Sequence, residues 1–211
     1  GKVKVFGKTD YAFSVKEDQS NAEDYLSDLI VYKQTGFKPE SDLNTNQAVN
    51  VAFTHLLSQL NLTIELRDQF NQDEKKPVTS ATVTDVKVDG TFIRSKVNFA
   101  ADPISVQIGG TQVPKAITPE TVAFTKADKT TDHATFKYSA IVIPQWIRAG
   151  VFCISFKVNG NDYIWTSTSD VNFVSGKKHD LHLLVGKDVV QGGAISAKPW
   201  GEETITEKET D

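Results

Sequence analysis

Methionine is absent from these 211 residues, cysteine occurs once and proline seven times. A lone Cys153 excludes an internal disulfide. Unbroken apolar runs reach four residues at most, too short for a membrane-spanning helix. No charged n-region, apolar h-region and small-residue cleavage site opens the chain, so any export signal is expected either to have been removed or never to have been there. Basic charge is not in excess: Lys and Arg total 23 against 27 Asp and Glu. The phosphate-neutralising surplus of a typical nucleic-acid binder is missing, and no nucleic-acid partner is expected.

β-branched side chains are abundant. Val, Ile and Thr together number 56, whereas Leu and Ala number 26. Val, Ile and Thr lose χ1 freedom in helices and pack well on pleated surfaces, so this balance predicts an all-β protein. The apolar share of 39% suffices for a core at this length.

Alternation along the chain places the strands. Tyr11, Phe13 and Val15 share one face, and Val3 and Val5 alternate with lysines before them. Residues 28–32 (DLIVY) predict a short buried strand. Across 48–66, Val49, Val51 and Phe53 alternate, then Leu60, Leu62, Ile64 and Leu66 do so again. This predicts strand, turn, strand, against a competing helix over 52–62. On that basis Val51 is buried, and Val51→Asp is expected to destabilise strongly. Residues 67–80, with their charge, amides and Pro77, form the best linker candidate.

Further strands are expected at 81–88, 91–99, 104–108, 121–125, 134–143, 151–158, 163–168, 171–174, 179–185 and 194–197. Asn159-Gly160 between two apolar runs is a strong hairpin signal. Many short strands with Gly, Pro and Asn punctuation predict a β-sandwich. The acidic tail 201–211 holds one weak strand seed, Thr204, Ile205 and Thr206.

Candidates for chemistry are few. Gly109-Gly110 and Gly192-Gly193 lack the Lys-Ser/Thr pair of a phosphate cradle. His179 and His182, three apart on a strand, point to opposite faces, one packed and one solvated, which disfavours shared metal ligation. Cys153, within the run Val151, Phe152, Cys153, Ile154, is expected to be a small buried hydrophobe with a raised pKa rather than a nucleophile. No metal, cofactor or catalytic set emerges, and the chain is expected not to be an enzyme. Trp146, Trp165 and Trp200 raise a carbohydrate-binding alternative, because sugar faces stack on exposed rings. Tyr163 and Trp165 share a strand face and form the candidate glycan platform. The competing expectation is that His55, Trp165 and Trp200 are packing residues.

Several segments, taken in order, resemble the fimbrillin-like family of Bacteroidales pilus subunits and related surface lipoproteins. They are residues 28–32, the stretch from Val49 through Phe53, His55 and Leu57 to Leu60, and Ile143-Pro144-Gln145 before the Tyr163 hairpin. Phe173 to His179 with its Gly176-Lys177 pair, and the ending from Ile195 to Trp200, complete the set. The resemblance implies two tandem transthyretin-like β-sandwich domains, a small or incomplete one at 1–75 and a second at 76–200, before the tail 201–211. It implies export to the cell surface and outer membrane, with a lipid anchor on the precursor. It implies neighbouring pilus subunits as partners, joined by strand donation, and host or bacterial surface ligands. Thr204, Ile205 and Thr206 are the candidate donor; the alternative for them is a solvated tail.

Overall fold

The computed structural model describes residues 9–21, 27–33, 36, 38–43, 48–49, 51–71, 82–129 and 131–200. Sixteen strands are present among them. They begin with β1 (Asp10–Ser14), β2 (Ile30–Val31), β3 (Thr54–His55), β4 (Ser58–Leu66), β5 (Val83–Asp89) and β6 (Arg94–Asn98). The middle of the chain supplies β7 (Ser105–Ile108), β8 (Glu120–Thr125), β9 (Ala134–Val142), β10 (Gln145–Ile147) and β11 (Cys153–Val158). The last five are β12 (Asn161–Thr166), β13 (Val171–Phe173), β14 (Lys177–Val185), β15 (Val190–Gly192) and β16 (Ser196–Pro199). One helical turn, Pro39–Asp42, lies between β2 and β3.

The alternation seen across Ser58–Leu66 has a direct structural counterpart. Every second residue of β4, from Ser58 to Leu66, is buried, and those between are half-buried. β4 lies between β14, to which it runs parallel, and β9, to which it runs antiparallel. It is thus flanked on both sides within a six-stranded sheet of order β15-β14-β4-β9-β8, with β16 also on β14. A three-stranded sheet, β12-β11-β5, contributes Val86, Val88, Ile154, Phe156 and Val158. These meet Leu60, Leu62, Ile64, Leu181 and Leu183 in one buried cluster. Asn159 and Gly160 both take positive φ, at 52° and 82°, and close the β11–β12 hairpin as their sequence required.

Residue 75 is therefore not a boundary between sheets. β4 precedes it, yet both neighbours of β4 come from beyond it, and β1 pairs with β6 across it as well. Among the described residues before it, β1 and β4 join sheets shared with later strands, while β2 and β3 pair with each other. The expected linker starts packed: Phe70 lies against the core and Asn71 donates to the Asp132 carbonyl at 2.6 Å. Val3, Val5 and residues 72–80 lie outside the described residues.

Two other expectations need correction. The 28–32 strand is only two residues long, paired as Ile30↔His55 and Val31↔Thr54, and Ile30 and Tyr32 are exposed. Val49, Val51 and Phe53 are exposed and lie outside any strand, although Val49 makes one bridge to Leu43. Their alternation matched a strand pattern, but the β2–β3 ribbon is too short to provide them with a sheet to pack on.

Two buried glutamines stand in for strand backbone. The Gln19 side chain donates from Nε2 to the Ile141 carbonyl at 2.9 Å and accepts the Ile141 N–H at 2.8 Å through Oε1. Gln145 does the same for Phe92, accepting its N–H at 2.9 Å and donating to its carbonyl at 3.1 Å. Gln19→Ala would leave the Ile141 amide and carbonyl unpaired in a buried site. The expected loss is roughly 2–4 kcal/mol, read as a melting temperature lower by roughly 5–12 °C in a calorimetric scan. An unchanged melting temperature would show that water replaces the amide.

Candidate interaction surface

An edge strand exposes half of its backbone hydrogen-bonding groups, so the edges are where this fold can add a partner. β8 is the outermost strand on one side of the six-stranded sheet. It pairs with β9 on one flank, and no described strand pairs on the other. A register shift between Thr121 and Ala123 leaves Val122 as the extra residue of a bulge. Val122 is 58% exposed and Phe124 52%. The Phe124 ring leans on Phe136 at 4.6 Å between centroids. Lys and Pro, the usual guards of an exposed edge, do not occur within Glu120–Thr125. Just before β8, the chain is covered: Thr118 donates to the Glu17 carbonyl at 2.7 Å and accepts from Gln19 N–H at 2.9 Å. The open stretch therefore begins at Glu120.

The edge of β12 is more enclosed. Its Trp165 ring lies over Gly192 of β15, where a Cβ would overlap the indole. The Tyr163 hydroxyl donates to the Lys187 carbonyl at 3.0 Å. On either side of this contact lie two clefts, of about 490 Å³ and 690 Å³, that share Ile164 and Val190 in their walls.

The carboxyl end of the described chain is clasped. β16 pairs with β14 from Lys177↔Pro199 to Asp180↔Ser196. Lys198 Nζ lies 2.6 Å from the Asp180 carboxylate, which also accepts from Asn61 at 2.9 Å. Burial acts to raise the Asp180 pKa, but these donors outweigh it and hold the carboxyl below its usual range. Trp200 donates its N–H to the Gly176 carbonyl at 3.0 Å, and its ring stacks on His55 at 4.0 Å and 2°. His55 Nδ1 in turn lies 2.7 Å from Asp28 Oδ2. Trp200 also lines a small cavity with Gln19, Asp28, Gln59 and Glu120, the first residue of β8. Trp200, the last described residue, is thus held near the start of that open edge.

The histidines separate as their spacing predicted. His182 is exposed on β14 and lies 2.7 Å from Glu65, which also meets His133. His179 is buried. Its Nε2 accepts the Val174 N–H at 3.1 Å, and its ring meets Phe173 edge-on at 5.1 Å. Nε2 is therefore unprotonated, and burial pushes the His179 pKa below its ordinary value. The unfolded chain then binds the proton more readily than the folded one. Stability is full above the unfolded value, about 6.5, and falls as pH drops below it. In melts from pH 7.5 to 5, wild type is expected to lose more stability than His179→Gln, whose amide can still accept from Val174. Parallel slopes would contradict a neutral, buried His179.

Cys153 sits on the half-buried outer face of β11, not among Ile154, Phe156 and Val158, which point inward. Burial and nearby Asp89 push its thiol upward. Among the described residues, no three His, Cys, Asp or Glu side chains gather as metal ligands, and no helix is long and apolar enough to cross a membrane.

The two residues of the sequence-derived platform lie on the inner face of β12. Tyr163 stacks on Phe156 at 5.7 Å and 10°, and Trp165 meets Phe152 edge-on at 6.3 Å. Both are half-buried. His55, Trp165 and Trp200 are all packed rather than fully exposed. Thr204, Ile205 and Thr206 lie outside the described residues. The sequence marked 121–125 as a strand but carried no sign that it is an edge, and it left Trp146 undistinguished from the other tryptophans. Trp146 is the exposed one.

The described residues form stacked β-sheets with one open edge strand, an all-β fold. The chain belongs to the fimbrillin-like family, whose model matches residues 4–200. Among solved structures it is similar to a candidate cell adhesion protein of Bacteroides uniformis ATCC 8492, with a TM-score of 0.62 and 18% identity. That match covers 94% of this chain and 69% of the other. A second, from Bacteroides ovatus ATCC 8483 and also described as a candidate cell adhesion protein, has a TM-score of 0.51 and 13% identity. It covers 82% of this chain and 61% of that one. No curated protein matches the sequence at a significant level.

Proposed function

We propose that this chain is a non-enzymatic fimbrial or cell-surface adhesion subunit that joins neighbouring subunits by strand donation. Family membership supports the fimbrial reading, and the adhesion descriptions of its structural relatives agree with it. The observation that carries the assembly step is the open edge of β8, with Val122 and Phe124 exposed on a strand that has no Lys or Pro of its own. A strand laid along it would satisfy the outward backbone groups and cover those side chains. Each side chain buried contributes about 1.5–3 kcal/mol, offset by the ordering of the donor. The proposed donor is Thr204, Ile205 and Thr206 of a neighbouring copy, leaving from the Trp200 clasp. A head-to-tail joint of this kind does not close on itself and so builds a filament. The setting is the outer surface of the cell, with a lipid anchor on the precursor.

Deleting residues 201–211 tests this. Processed wild-type protein is expected to form filaments by electron microscopy, and the version ending at Trp200 is expected to remain monomeric with its fold intact. Filaments of equal length from both would reject the tail as donor.

A further inference from the structure

Trp146 is 55% exposed, whereas the other two tryptophans are half-buried against aromatic neighbours. Its position is imposed by the ribbon that carries it. In β10, Gln145 and Ile147 are buried on either side of it. In β13, Val171 and Phe173 are buried on either side of Asn172. The register is Trp146↔Asn172, so indole and amide are a cross-strand pair on the outer face. The buried Ile147, Val171 and Phe173 side chains and the Gln145 amide hold the backbone beneath them, so the pair is presented by a fixed support.

The surroundings of the ring are polar. The Arg148 guanidinium lies over one face of the ring, 5.9 Å from its centroid, which leaves the opposite face for a ligand. Asp170 accepts the Ala149 N–H at 2.9 Å through one carboxylate oxygen, which fixes that side chain beside the ribbon. Asn172 and Asp170, with Thr168 and Ser169, form part of the wall of the 690 Å³ cleft, a size suited to small ligands. A large protein interface usually buries several anchor side chains together. The neighbours of Trp146 on this ribbon are an amide and a guanidinium instead. The ligand that matches one apolar ring face bordered by planar hydrogen-bonding groups is itself apolar on one face and hydroxylated around its rim. That describes a pyranose.

We propose that Trp146, Asn172, Arg148 and Asp170 form a saccharide-binding platform, and that Asn172 and Asp170 join it to this cleft. The Trp146 ring takes the C–H face of a sugar, Asn172 and Arg148 donate to its hydroxyls, and the free Asp170 oxygen accepts from one. The charges of Arg148 and Asp170 offset each other, which favours a neutral hexose over a sialylated or uronic terminus. The platform differs from Tyr163 and Trp165, whose rings are turned into the sandwich. It does not depend on strand donation, because β8 takes no part in it.

The full chain is tested on an array of defined oligosaccharides ending in glucose, galactose, mannose or sialic acid, and a bound glycan is then titrated by calorimetry. At least one neutral hexose terminus is expected to bind saturably. Trp146→Ala should weaken it by about tenfold or more, as truncating a central aromatic contact does, and Trp146→Phe should restore part of the loss. Because the ring is exposed, the melting temperature should not change. Three outcomes overturn the proposal: no glycan held above an albumin blank, equal binding by Trp146→Ala, or binding confined to the sialylated members. A change of oligomeric state in Trp146→Ala by light scattering, with glycan binding unaltered, would assign the ring to a protein contact and overturn it as well.

Discussion

Ile64→Asp is expected to yield no folded protein, while Val51→Asp is expected to melt within a degree or two of wild type. Both positions lie in apolar alternations of similar appearance. Ile64 has no exposed surface and faces Leu183 on one side and Phe136 on the other. A carboxylate there has neither water nor a cation, and its desolvation costs several kcal/mol, a large part of the roughly 5–15 kcal/mol that holds a domain together. Ile64→Ala keeps the test quantitative: the cavity should cost about 2–5 kcal/mol and leave a measurable transition. Val51 is 46% exposed and outside any strand, where substitutions usually stay within about 0.5 kcal/mol. Circular dichroism melts of the three variants decide the matter. A larger loss at Val51 than at Ile64→Ala would contradict the placement of β4 at the centre of the sheet.

Val122→Lys is expected to abolish filament growth without unfolding the subunit. The side chain is exposed and sits on the bulge, so lysine meets no clash in the monomer. A donated strand, however, would have to cover the ammonium or displace it, and lysine on an edge is how many sheets avoid added strands. Phe124→Lys should act in the same direction with a modest loss of stability, because it also removes the contact with Phe136, of the kind worth about 0.5–1.5 kcal/mol. Ile164→Lys is the control. Ile164 is just as exposed, but on β12, which takes no part in the proposed joint. Loss of filaments with Ile164→Lys and their survival with Val122→Lys would move the joint to the other sheet.

Much of the strand pattern was legible because period-two alternation depends only on neighbours. Ser58–Leu66 is an instance: one face of β4 is buried along its whole length. The Asn159-Gly160 turn was legible for a related reason, since its positive φ values restrict which residues can sit there. What could not be read was which strand lies beside which. The parallel pairing of β4 with β14 joins residues more than a hundred positions apart, and nothing local encodes it. That is why the domain boundary expected at residue 75 passed through a shared sheet. Val49, Val51 and Phe53 show the same gap in reverse, an alternation with no adequate partner ribbon. Gln19 and Gln145 look like surface residues in sequence, and only the fold shows them replacing strand backbone. Trp146 and Trp165 each lie within a strand; what separates them is which face the register turns outward.

Amide hydrogen exchange across Thr121 to Thr125, compared between monomer and filament, tests strand donation most directly. Outward N–H groups of β8 should exchange quickly in the monomer and become strongly protected in the filament, with protection lost when residues 201–211 are removed. Filaments in which the β8 amides exchange as fast as in the monomer would contradict the joint at this edge.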